Sequence, residues 1–215
     1  MDYQHQNDSV RVAGIKFAAE LNLSGKLSAT MWTPLDAHRW FPVIIFENFF
    51  RNLVAYRLLE LGGVLLHSAG VVNHEDQAWI FVGNSGAGKS TISSFCSEAG
   101  YSILSDDLNA ILPEGNALNV EKVPFAGTFR SGYSRGNRYP INRISRIVKD
   151  DINHIEPISN ASMLSLLIAN SPFVNQDSLR SDRLIKNMLN LLDKCPGHSL
   201  RFSLGSKFIE LLQTA

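Results

Sequence analysis

Residues 81 to 91 read "FVGNSGAGKST" and match G-x-x-x-x-G-K-[ST], the loop that wraps nucleotide phosphates. Glycines at 83, 86 and 88 let the backbone curl so that its N–H groups face an anion, and the start of the following helix adds positive partial charge. In this reading Gly83, Asn84, Ser85, Gly86, Ala87, Gly88, Lys89, Ser90 and Thr91 form a nucleotide-binding loop. Lys89 reaches the β and γ phosphates, and the Ser90 hydroxyl takes a metal position. The flanks agree: "AWIFV" has the apolar run of a buried strand, and "STISSFCSEA" reads as a helix. A nucleotide and Mg2+ are the cofactors implied. Whether the phosphate is transferred, hydrolysed or only sensed depends on residues elsewhere in the chain.

On the C-terminal side, a helix from Lys89 to about Ala99 descends on the order of 16 Å, and the strand "YSILS" climbs back by roughly the same amount. A right-handed crossover makes that strand parallel to the one feeding the loop, so both C-terminal ends lie on the ligand side of the sheet. Asp106 and Asp107, which follow the strand, thus return to the phosphates. One can hold magnesium and the other can accept a proton from an attacking hydroxyl. On the N-terminal side, strands over 64–72 and 77–82 are joined by the turn "NHED". If Val72 and Gln77 are the last paired residues, His67 sits opposite Val82, close enough to tune a carboxylate. A histidine satisfied by backbone groups is the alternative.

Residues 11–33 carry short apolar runs around Ser24-Gly25, which predict a hairpin or meander. Residues 43–61 repeat apolar side chains at helical spacing and stop at Gly62-Gly63. Beyond about residue 160 come two helical stretches, a short strand "SLRFSL" and a last helix that Ser206 caps. Between Lys122 and Val148 lie Arg130, Arg135, Arg138, Arg143 and Arg146, with no acidic residue. Gly132 and Gly136 loosen a loop holding the first three, which is read as a substrate or phosphate loop, or else as a solvated one.

The whole chain narrows the function class. Its 215 residues suit one domain, divided as an N-terminal meander and helix (1–62), a nucleotide-binding core (63–112) and an arginine-rich loop with C-terminal helices (113–215). Twenty basic and twenty acidic side chains cancel, which argues against nucleic-acid or membrane-surface partners. Cys96 and Cys195 have no metal spacing and make no disulfide framework, the N-terminus lacks a signal-peptide core, and no apolar run is long enough to span a bilayer. A cytoplasmic location is expected. The oligomeric state is open, a homo-oligomer included.

Three pieces in this order, "GVLLHSAGVV", "GNSGAGKST" and "LSDDL", resemble the catalytic domain of HPr kinase/phosphorylase and its shorter relatives, bacterial serine kinases of the phosphoenolpyruvate-carboxykinase-type fold. The resemblance is firm from about Gly63 to Ala110 and fainter through "VPFAGTF" and "HSLRFSL". It implies an α/β fold, a P-loop-containing mixed sheet flanked by helices. It implies transfer from ATP to a serine hydroxyl of a protein or peptide, with Lys89 and Ser90 as phosphate-loop lysine and metal-side hydroxyl. It further implies Asp106 as catalytic base, Asp107 as the neighbouring acid at the metal, and His67 as the residue that assists the base. Two departures stand out. Thr91 replaces a glutamate that members acting on HPr carry, and "PFAGTFR" offers no counterpart to their downstream metal-binding glutamate, so that either Glu114 or Glu121 substitutes or the metal has fewer protein ligands. A small-molecule (amino-acid) kinase and a slowly hydrolysing nucleotide-binding regulator are the competing functions. A guanine-nucleotide switch is disfavoured because no N-K-x-D motif occurs.

Overall fold

Period-two burial builds the N-terminal part. In the computed structural model, which describes residues 1–34, 42–125, 127, 129 and 136–214, β1 (Asp2–His5), β2 (Ser9–Gly14), β3 (Phe17–Asn22) and β4 (Ser28–Trp32) form an antiparallel meander. Val10, Val12, Phe17, Ala19 and Leu21 are buried, while Arg11 and Glu20 face each other in register and pair on the other side. The expected meander thus begins at residue 2 and ends at Trp32.

Helix α1 (Pro42–Glu60) buries Ile45, Phe49, Asn52, Tyr56 and Leu59, one stripe at three- and four-residue spacing. It ends as Gly62-Gly63 predicts: the Gly63 N–H bonds to the Leu58 carbonyl and the Gly62 N–H to that of Leu59. α2 (Lys89–Glu98) closes in the same way, with Tyr101 and Gly100 donating to Cys96 and Ser97.

The second sheet is mixed, in the order β11-β12-β10-β6-β5-β8-β9, with β7 on β5. Strand β5 (Val64–Val72) is shared by three partners: its first half pairs with β8 (Leu108–Glu114) and its second half with β6 (Ala78–Val82) and β7 (Ser102–Ser105). β9 (Ala117–Glu121) pairs with β8 and with the first three residues of β10 (Arg138–Lys149). The rest of β10 runs parallel to β6 and to β12 (Gly197–Phe202), beyond which lies β11 (His154–Pro157). β6 and β7 are both antiparallel to β5 and hence parallel to each other, as the crossover argument requires, with β5 between them. The C-terminal ends of β6, β7, β10 and β12 therefore share one edge.

Helices cover both faces, which explains why every residue of "AWIFV" in β6 is buried. Trp79 and Phe81 pack with Ile92 and Cys96 of α2 and Phe208 of α5 (Phe208–Thr214). Ile80 and Val82 face the core shared with α1, α3 (Asn160–Ala169) and α4 (Ser181–Lys194), where Leu184, Met188, Leu191 and Leu192 form the apolar stripe of α4. Among the described residues no helix is long and apolar enough to cross a membrane.

Two expectations are corrected. The β5–β6 hairpin pairs Val72 with Ala78, so Ser68, not His67, stands opposite Val82. The cause is Asn73, whose side-chain oxygen accepts from the N–H groups of Glu75 and Gln77 and draws Gln77 into the turn. The shift puts His67 on the face of Ala69 and Val71, the α2 side. The second correction concerns the segment after residue 113. It is not chiefly loop and helix: β9, β10, β11 and β12 occupy it, and β10 is a twelve-residue interior strand.

Candidate functional site

The loop between β6 and α2 sits on the shared edge. Gly83 is packed so tightly that a Cβ there would lie 2.7 Å from Cβ of Ala87 and 2.9 Å from Cγ1 of Ile147. Gly88 has φ 111°, a left-handed conformation, and a Cβ would meet the Phe202 ring at 2.7 Å. The first turn of α2 has neither a side-chain cap nor an acidic residue, which leaves its positive end facing the loop.

Lys89 is not a solvent-facing charge. It is 7% exposed, and its Nζ donates to the carbonyls of Gly83 at 2.7 Å and Asn84 at 3.4 Å. Burial holds its pKa below the ordinary lysine value, opposed by the negative charges of Asp107 and Asp106. Ser90 is exposed, and its hydroxyl donates to Asp106 Oδ2 at 3.0 Å.

The two acids after β7 differ sharply. Asp106 is 5% exposed and both its oxygens are engaged: Oδ2 accepts from Ser90, and Oδ1 accepts from the Phe129 N–H at 3.2 Å. Asp107 is less buried, and its Oδ1 lies 3.6 Å from His67 Nε2. Its Oδ2 takes a 3.0 Å hydrogen bond from Arg51 of α1, which Glu47 also holds one turn away at 2.6 Å. Ser105 accepts from the N–H groups of Asp107 and Leu108 and fixes the turn. His67 has its pKa lowered, first by burial and then by the charge of Lys89, which favours the neutral ring. Its backbone N–H is held at 2.7 Å by the Asn170 carbonyl just past α3.

A cleft of about 340 Å³ is lined by His67, Lys89, Ser90, Asp106 and Lys149, with Ser85, Gly86, Gly88 and Thr91 as its glycine-rich wall, and Asp107 stands behind His67, outside the lining. The backbone carbonyl of Asn84 also bonds the Ala87 N–H and braces the loop. The structure brings together His67, the loop, Asp106 and Asp107. It does not bring Arg138 with them. Arg138 opens β10 opposite Glu121 and forms ion pairs with Glu121 and with Glu114 at 3.1 Å, so it is a strand residue at the β9 edge, not part of a phosphate loop. Glu114 and Glu121, expected as substitutes for a metal-side glutamate, are engaged in these pairs at the β8–β9 edge, and neither lines the cleft. Arg143 and Arg146 are likewise strand residues, and Arg143 is buried. Arg130 and Arg135 lie outside the described residues.

Sequence reasoning missed three contributors. Arg51 lies 56 positions before Asp107, and no local pattern marks it. Lys149 ends a polar strand that reads as loop. The "PFAGTF" segment supplies a backbone N–H from Phe129 to Asp106, and Gly127 abuts the Asp106 carboxylate and Cβ of Asp107 so closely that no side chain fits there. The lack of an acid in that segment was the available signal.

No protein-family model matches the chain, and no curated protein matches it. Among solved structures, the chain is similar to the Hpr(Ser) kinase/phosphatase from Coxiella burnetii, with 12% identity, 69% of this chain and 91% of that chain covered, and a TM-score of 0.39. A superposition that loose adds nothing to what the geometry supports by itself.

Proposed function

We propose that this chain is an ATP- and magnesium-dependent kinase that transfers the terminal phosphate to a hydroxyl, with a serine of a protein or peptide as the acceptor. One observation carries the reading: two carboxylates at a single strand end serve different partners beside a phosphate loop, Asp106 on Ser90 and Asp107 on His67. A nucleotide sensor needs the first arrangement but not the second.

The residues fit the cofactors. The glycine-lined loop, the uncapped start of α2 and Lys89 suit a polyphosphate. Ser90 and Asp106 offer hard oxygen donors 3.0 Å apart, the sparse protein set magnesium takes when phosphates and water complete its shell. When bound, magnesium supplies charge neutralisation on the phosphate oxygens. Lys89 stabilises charge on the transferred group, and the amides of the loop orient it. The acceptor proton goes to the Asp107–His67 pair. This reverses the roles that the sequence resemblance implies for the two acids. Asp106 is buried and holds Ser90 and the Phe129 N–H, whereas Asp107 is more exposed and, with one oxygen on Arg51, turns the other toward an imidazole kept neutral. The reading places the activity in the cytoplasm, where ATP and reduced thiols coexist, and both cysteines are buried and free.

The test is ATP turnover by purified protein with magnesium, with and without serine-containing peptides. Rapid turnover only with an acceptor is expected. Binding with the same slow turnover in both arms would mean a regulator instead.

A further inference from the structure

Lys149 is the last residue of β10 and pairs in register with Phe202, the residue whose ring packs against Gly88. Its stem is fixed there. A Cβ on Gly88 would lie 3.3 Å from Lys149 Cε, so the side chain overhangs the residue just before α2, and it lines the phosphate cleft. The neighbouring acid does not neutralise it, because Asp150 is drawn away to Arg201 at 3.0 Å. Among the described residues Lys149 forms no ion pair.

The sheet order gives this charge a side. β10 lies on one flank of β6, and β5 with β7 lies on the other. The carboxylates after β7 mark the end where transfer takes place, and Lys149 stands across the loop from them, with Lys89 between. Strands about 4.8 Å apart separate these ends by two spacings on one side and one on the other. A phosphate chain lying along this edge with its reacting end at Asp106 and Asp107 carries its other phosphates toward β10.

We propose that Lys149 is a second phosphate-binding cation of this site, holding the phosphates that are not transferred and therefore retained by ADP. The proposal rests on the kinase reading for the direction of the phosphate chain. A lysine that grips phosphates present in both substrate and product contributes to binding in the ground state and the transition state alike, so its loss falls on KM more than on kcat.

The experiment is calorimetric titration of MgATP and of MgADP into the parent protein, Lys149→Met and Lys149→Arg, with circular dichroism to verify folding. Lys149→Met should weaken both nucleotides by about tenfold, the weight of one charge-assisted hydrogen bond, and Lys149→Arg should recover most of the loss. A folded Lys149→Met that binds both nucleotides like the parent overturns the proposal. Loss of ATP affinity with ADP affinity intact overturns it too, because the lysine would then serve the terminal phosphate. A parent that binds neither nucleotide would overturn the nucleotide site itself, a separate failure that the parent titration reveals first.

Discussion

At the scale of single residues, the account turns on the unequal surroundings of Asp106 and Asp107. Asp107→Asn keeps the hydrogen bond to Arg51 but cannot take a proton, so it should lower kcat by about two to four powers of ten with ATP affinity retained. Asp106→Asn weakens the oxygen pair with Ser90 and should raise the magnesium concentration needed for activity. Rates measured across a magnesium series separate the two. If Asp106→Asn lost turnover at every magnesium concentration while Asp107→Asn recovered at high magnesium, the roles would be those implied by the sequence resemblance. The adjacency of the acids to the glycine-rich loop was readable from the strand that precedes them. Their division of labour was not, because it depends on Arg51, His67 and Phe129, none of which lies near them in sequence.

Elements were legible where their signals are local. The strand–loop–helix around Lys89, the glycine stops of α1 and α2, and the meander all follow from spacing and turn chemistry. β10 was hidden because "RYPINRISRIVK" carries three arginines and little apolar periodicity. It is held as a strand by β6 on one side and β12 on the other, contacts that no window of sequence contains. The same long-range logic ties the meander to the rest. Asp177 is 1% exposed and accepts from Arg180 at 2.7 Å and from the Tyr56 hydroxyl at 3.2 Å. Arg180 in turn donates to the carbonyls of Gln6 and Asn7 at 2.7 Å each, at the β1–β2 turn. Burial and the adjoining Asp177 charge push the Tyr56 hydroxyl pKa up, which keeps it a donor. Asp177→Ala leaves a buried guanidinium without its carboxylate and should cost about 3–5 kcal/mol in urea unfolding. A loss under about 1 kcal/mol would show that packing alone holds the meander in place.

The whole molecule presents one chemically equipped edge, where β6, β7 and β10 end together. The phosphate loop, the two acids and Lys149 come from three different strands, so the site exists only when the mixed sheet is assembled. That is why a nucleotide-binding loop can be proposed from eleven residues, whereas transfer to an acceptor has to be argued from the folded arrangement. Binding alone does not distinguish a kinase from a sensor; the fate of the phosphate does. The most direct measurement is mass spectrometry of products after incubating the protein with γ-labelled ATP, magnesium and fractionated cell extract. The account predicts label on a serine hydroxyl of a protein or peptide, present with the parent and absent with Asp107→Asn. Label found only as inorganic phosphate, in equal amount with both proteins, would contradict it.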